Sequence, residues 1–241
     1  MVVVAVALAG CDSTKRVPEG SYLLKHNSVS VEGNAIPASE LEVIIKQKPN
    51  KRILWVPFYL HAYNIPDPEK IPAAQAKRDA HIDAINARRK AKAKSADEPV
   101  KVKPYKLARG EWLRTKVGEA PVILDSALTK RTVDQMQLYM AKEGYFRSTA
   151  SDSVRRTHRG LFSKSGRPFK KPKVEVDYYV HPGPMYRLRK IRFEVDDPAI
   201  RAQITSTWNE SLLDSGDRVD DDALDAERVR ITSQLRADGY L

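Results

Sequence analysis

Two segments far apart in the chain end in the same way, and that recurrence limits the fold more than any other feature. "SALTKRTVDQMQLYMAKEGYF" begins at Ser126 and "DDDALDAERVRITSQLRADGYL" begins at Asp220. In the first, Leu128, Val133, Met136 and Met140 fall near one helical face, with Asp125 or Ser126 available as N-cap and Gly144 as the stop. In the second, Leu224, Ile231 and Leu235 do the same, with Asp220 to Asp222 at the start and Gly239 as the stop. Each helix therefore ends in Gly-Tyr plus an apolar residue. Glycine suits the left-handed conformation that ends a helix, and the tyrosine behind it can lead a strand back along the same core. A chain with such a recurrence is read as tandem units before it is read as anything else.

The likeness continues upstream. "PEGSYLLKHNSVSVEG" and "HPGPMYRLRKIRFEVD" each place Gly ahead of Tyr and a strand-like run, so Gly20 and Tyr22 are echoed by Gly183 and Tyr186. In the second run the alternation changes phase after Leu188 and passes to Ile191, Phe193 and Val195, the signature of a bulge. Helix candidates follow at 39–47 and 198–208. The first unit adds a last strand, "KVEVDYYV", in which Val174, Val176, Tyr178 and Val180 alternate cleanly. The expected order is β-α-α-β-β.

The charge balance is basic, with 42 Lys+Arg against 31 Asp+Glu, and fits nucleic acid, an anionic membrane surface or an acidic partner. Much of the excess sits at 70–109 and 155–173. The first stretch is rich in helix formers, yet Ile82 and Ile85 are its only larger apolar residues over most of its length, too few for a broad core-facing stripe. It reads as a solvated helix or a disordered excursion. A nucleic-acid arm is disfavoured, because over 72–104 no aromatic rings are interleaved with the charges for base stacking. The second stretch has Gly and Pro between two strand-like runs and reads as a long hairpin loop.

Cys11 is the single cysteine, which rules out an intramolecular disulfide and a Cys-based zinc site. Ten apolar or small residues precede it, enough at 1.5 Å per residue for only about half of a bilayer core of roughly 30 Å. Leu8-Ala9-Gly10-Cys11 resembles the lipobox of bacterial lipoproteins, which implies cleavage before Cys11, a diacylglycerol on its thiol and a polar tether from Asp12. No Lys or Arg precedes the apolar run, although a secretory signal normally opens with one. A buried cysteine in a first strand is the plainer alternative. Catalytic motifs are missing: the sequence holds no HExxH, GxSxG, phosphate-cradling Gly-rich loop or Cys-His cluster. His158 and His181 read as surface residues, and Asp220 to Asp222 as a helix start. The chain reads as a non-enzyme without a cofactor beyond the lipid expected on Cys11.

Headed by a lipobox, these recurring units resemble the POTRA (polypeptide-transport-associated) domains of the BamA/TamA superfamily of outer-membrane assembly factors, and among these the lipoprotein-type, TamL-like members. The residues that carry this are Lys48-Pro49-Asn50-Lys51 with the aromatic stretch to Tyr63-Asn64, Trp112-Leu113, and Val117-Gly118-Glu119-Ala120-Pro121-Val122. Lys142-Glu143-Gly144-Tyr145-Phe146 and Leu235-Arg236-Ala237-Asp238-Gly239-Tyr240 belong to the same set. The resemblance implies an α+β fold of tandem POTRA-like β-α-α-β-β units, each a small mixed sheet with helices on one face. Gly118, Glu119, Pro121, Gly144, Tyr145, Gly239 and Tyr240 are then structural. Expected boundaries are 1–21 for signal, lipidated Cys11 and tether, 22–182 for the first unit with an Ala/Lys-rich insertion at about 66–108, and 183–241 for a second, incomplete unit.

The resemblance further implies a periplasm-facing arm in the cell envelope of a Gram-negative bacterium. Its partners would be unfolded outer-membrane clients or assembly subunits, with the membrane reached through the lipid and through a C-terminal barrel beyond this chain, and no nucleic acid. Binding would run through exposed sheet edges by strand addition. A lipid-anchored basic envelope protein with an anionic partner is the competing reading.

Overall fold

The computed structural model describes residues 12–92, 100–157 and 172–240. The apolar start with Cys11, most of the second basic stretch with His158, and Leu241 lie outside the described residues.

The elements run β1 (Leu23–Val31), α1 (Ala38–Ile44), α2 (Phe58–Asn64), α3 (Ile71–Ala91), α4 (Arg109–Trp112, passing into a π turn at Leu113–Val117), α5 (Ser126–Lys142), β2 (Thr149–Thr157), β3 (Lys173–His181), α6 (Pro198–Ser206) and α7 (Asp221–Ala237). The fold is α+β. Its three strands form one mixed sheet in the order β1-β3-β2. Side-chain bonds from Lys25 to Glu175, Ser28 to Asp177 and His181 to Glu32 ascend together, so β1 and β3 are parallel. The strands pass through two compact units, which are described separately below.

One unit comprises Met1–His26, Lys48–Leu124 and Arg155–Glu175. Val17, Leu23 and Leu60 make its apolar centre. Asp12-Ser13-Thr14, where the sequence placed the beginning of a tether, is packed: Ser13 and Thr14 are buried, Asp12 accepts from the Thr14 hydroxyl at 2.6 Å, and Asn64 donates to the Ser13 carbonyl at 3.3 Å. Burial pushes the His61 imidazole down, and the Lys173 cation lowers it further. Burial likewise brings Lys173 down to about 8.

Lys173 has a consequence for stability. Between pH 8 and its ordinary value the unfolded chain holds this proton more firmly than the folded one, so stability rises with pH across that window, and the cost of the buried charge is fully present below it. Lys173→Met is therefore expected to stabilise the protein at pH 7 by about 1–2 kcal/mol, after allowance for solvent screening, and to gain much less at pH 10. Urea midpoints of both proteins at the two pH values check this. An advantage that does not shrink at pH 10 would contradict it.

The Ala/Lys-rich insertion folds as α3, and its turns explain why an apolar stripe was not needed. Gln75, Asp79, Ile82, Asn86 and Arg89 share one face at helical spacing, and the returning chain is hydrogen-bonded to it. Asn86 donates to the Lys103 carbonyl at 3.0 Å and accepts from its N–H at 2.6 Å; Gln75 accepts from the Ala108 N–H at 2.6 Å; Arg89 donates to the Lys101 carbonyl at 2.7 Å. Amide side chains here take the part a neighbouring strand would otherwise play.

Ahead of α2 lies a two-residue hairpin turn. Ile53 and Val56 exchange both backbone bonds, at 2.9 and 3.0 Å, and Leu54 and Trp55 between them have φ of 47° and 68°. This is the mirror-image turn that Asn-Gly normally occupies. Side chains such as Leu and Trp adopt it at a cost of about 1–2 kcal/mol each.

The other unit comprises Asn27–Gln47, Asp125–Val154 and Val176–Leu241. Ile36, Leu41, Met136, Met140, Tyr145, Val176, Tyr178 and Val180 are buried in it. Alternate β3 residues thus face the helices, and the Tyr178 hydroxyl sits beside Thr129 and Thr132 of α5. Thr132 also accepts from the Lys46 N–H at 3.1 Å, and Tyr139 donates to Glu40 at 2.8 Å, which ties α5 to α1 and its following residues.

The expected second strand is where sequence and structure part. Residues 186–195 form no strand; the single bridge there joins Arg187 to Arg218. A strand needs a neighbour along its length, and no further strand of that half is present among the described residues. Its helices form as read, with α6 ending at Ser206 and a short turn at Trp208–Glu210. Ile231 and Leu235 stay half-exposed, whereas Met136 and Met140 at the same places in α5 are fully buried.

Candidate functional site

The hydrogen bonds give the recurrence a register. In the first half, Leu23 and Ile123 bridge, Leu24 donates to Val122 and Leu124 donates to Tyr22. In the second, Arg187 and Arg218 bridge, Leu188 donates to Asp217 and Val219 donates to Tyr186. Two residues past each bridge an aspartate caps the helix: Asp125 accepts from Ala127 and Leu128, Asp220 from Asp222 and Ala223. The backbone N–H bonds and the nearby Arg218 hold the Asp220 carboxyl below its ordinary value, as a helix cap requires. The helices end alike, since Gly144 donates to Ala141 and Tyr145 to Met140, while Gly239 donates to Arg236 and Tyr240 to Leu235. The offset between these partners is constant at 95 (218 − 123, 220 − 125, 239 − 144).

The motif residues divide by location. Gly118 lies against α2, where an added Cβ would come 2.7 Å from the Tyr63 Cα and 2.8 Å from the Leu113 carbonyl oxygen. Glu119 donates its N–H to the Tyr59 carbonyl and accepts from the Lys51 N–H at 3.0 Å. Pro121 stands between the two groups clamped by Asn50, which donates to Ala120 at 2.7 Å and accepts from Val122 at 3.0 Å. Those residues belong to one unit and hold the segment that pairs with Leu24. Gly144 and Tyr145 lie in the other. Gly144 has φ 82° and accepts from the Tyr186 N–H at 2.9 Å, and Tyr145 is buried with its hydroxyl donating to the Ala35 carbonyl at 3.3 Å. Gly239 has φ 87° with open space around it, and Tyr240 follows. The clamp role of Asn50 was not foreseen; the nearest sequence signal is a polar residue between Pro49 and Lys51 in an otherwise basic and apolar stretch.

The bonds these residues make are to backbone groups of turns, pairings and helix ends. Among the described residues no three His, Cys, Asp or Glu side chains gather as metal ligands. What the fold does present is β2. Its only strand neighbour among the described residues is β3, and seven of its nine residues are exposed. The outer N–H and C=O groups of such a strand are a template for one more strand. Its side chains are largely short or charged: Thr149, Ser151, Asp152, Ser153, Arg155 and Arg156. Arg155 pairs with Glu175 at 3.4 Å, and Arg156 lies over the Tyr22 ring at 4.9 Å.

Beside the start of β2, within one unit, a groove of about 300 Å³ runs between residues 149–151, 179–181 and 30–32. The half-exposed Tyr179 ring lies in it, and His181 bonds to Glu32 at its rim. His181 is exposed, as expected of a surface histidine.

No protein-family model matches the chain, and no curated protein matches it. Among solved structures it is similar to the crystal structure of Haemophilus influenzae BamA POTRA3-5, at 14% identity and a TM-score of 0.28, with 94% of this chain and 90% of that one covered.

Proposed function

We propose that this chain is the periplasm-facing POTRA arm of an outer-membrane protein assembly or translocation factor, and that it binds extended client or partner segments by adding them as a strand to β2. The observation that carries the reading is the exposed nine-residue edge of β2 in a sheet of order β1-β3-β2. Pairing through backbone groups selects for an extended conformation more than for a sequence, which suits a handler of many unfolded precursors. The groove at 149–151 and 179–181 would take an apolar side chain of the bound segment against Tyr179. The register shared by the two halves supports tandem units at 22–182 and 183–241. The lipid attachment at Cys11 rests on the Leu8-Ala9-Gly10-Cys11 pattern alone. No catalytic step is required: the arm holds a segment and releases it.

Adjacent residues of a strand point their N–H groups to opposite edges, so proline at Asp152 and proline at Ser153 test the two sides of β2. One variant loses a bond to β3; the other keeps the sheet and loses only an outward donor. With a photo-crosslinker at Ser151, the variant that keeps the parental unfolding temperature is expected to lose client crosslinks by roughly tenfold, the equivalent of about 1.4 kcal/mol. Undiminished crosslinking in that variant would contradict the reading.

A further inference from the structure

The Leu54-Trp55 turn is the most exposed apolar feature of its unit. Leu54 is 80% and Trp55 85% exposed, with Ile53, Val56 and Phe58 also exposed around them. Both central residues hold positive φ, a conformation that bulky side chains adopt only where the surroundings or a function demand it. Neither gains a buried contact in return, so nothing inside the unit accounts for Leu and Trp at a turn better suited to Asn and Gly.

The charges next to the turn point to its occupant. Lys48, Lys51 and Arg52 precede it, all exposed, and no Asp or Glu occurs from 48 to 66. The Arg52 guanidinium donates to the Lys25 carbonyl, which fixes it beside the turn, while the nearby carboxylate of Glu119 is engaged by the Lys51 backbone N–H. A tryptophan with aliphatic neighbours and a collar of cations matches the boundary of an anionic bilayer: the ring and the Leu side chain enter at headgroup depth, and the cations meet phosphate groups at the surface. A protein pocket would be expected to answer the cations with a specific acidic arrangement, whereas a lipid surface needs only their presence.

We infer that residues 51–58 form a membrane-contact tip, with Leu54 and Trp55 inserting into an anionic lipid surface and Lys48, Lys51 and Arg52 drawing it there. This goes beyond the strand-edge reading, and its test leaves β2 untouched.

The test uses the full chain carrying Cys11→Ser, so that no covalent lipid contributes, floated with vesicles of phosphatidylethanolamine and phosphatidylglycerol or of phosphatidylcholine alone. The double variant Leu54→Asn, Trp55→Gly gives the turn its preferred residues. It is expected to unfold several degrees higher than its parent and to bind the anionic vesicles roughly tenfold more weakly. Binding to phosphatidylcholine is expected to be weak in both, and raised salt is expected to weaken binding of the parent. Client crosslinking at Ser151 should persist, which separates failure of this inference from failure of the strand-edge reading. Equal flotation of parent and variant overturns the inference, as does no flotation of the parent. A photo-crosslinker at position 55 that captures an envelope protein in cells, without vesicle binding in vitro, would assign the tip to a protein partner and equally overturn it.

Discussion

Gly144→Ala is expected to cost more than about 3 kcal/mol, enough to leave much of a marginally stable protein unfolded, while Gly239→Ala costs about 1 kcal/mol. The two glycines end equivalent helices with φ of 82° and 87° and the same pair of backbone bonds. Each replacement therefore carries the same left-handed penalty. Only Gly144 has a neighbour: its Cβ would come 2.5 Å from the Val219 carbonyl oxygen and 3.3 Å from that of Tyr186. Both are backbone atoms, the first in the segment entering α7 and the second in the segment after β3, held there by the Arg218–Glu143 ion pair at 2.7 Å and the bond from Tyr186 to Gly144. They can give way only by breaking the junction between the repeated halves. Denaturant titration of the two variants checks the difference; equal losses would mean that the junction does not depend on the close approach.

Gly118→Ala is the second large effect, expected at about 3 kcal/mol, and it has a different origin. Gly118 has φ −75°, which any residue accepts, so the loss comes wholly from the 2.7 Å approach to the Tyr63 Cα and the 2.8 Å approach to the Leu113 oxygen. Both are backbone atoms, and trimming the Tyr63 side chain cannot relieve them. Tyr63→Ala is accordingly expected not to rescue Gly118→Ala, and it should add a loss of its own because Arg114 packs over the Tyr63 ring at 4.5 Å. Rescue in the double variant would show that the contact lies with the side chain instead.

The contrast between these glycines also marks how far the sequence could be read. Gly144 and Gly239 were recognisable as helix stops because each follows an amphipathic run and precedes Tyr, a local pattern. β3 was equally plain, since Val174, Val176, Tyr178 and Val180 alternate over a buried face. The role of Gly118 depends on α2, more than fifty positions earlier, and nothing near it in sequence announces that approach. α3 was ambiguous for a related reason: Gln75 and Asn86 hold a returning chain by hydrogen bonds, which no apolar periodicity can reveal. The run at 186–195 has strand-forming residues but no partner strand among the described residues, and a strand exists only in a pair. Of the candidate site, the exposed edge follows from strand order, which the sequence did not contain, and the Leu54-Trp55 turn violates the very residue preferences by which turns are recognised.

The central claim, capture of an extended segment along β2, is tested most directly by hydrogen exchange on the amides of Thr149–Thr157, followed residue by residue with and without an unfolded outer-membrane client. In the free protein alternate amides point away from β3 and should exchange rapidly. Strand addition predicts that these alone become protected on binding, at every second residue, while the amides already bonded to β3 change little. Uniform protection along β2, or protection confined to another element, would contradict the account.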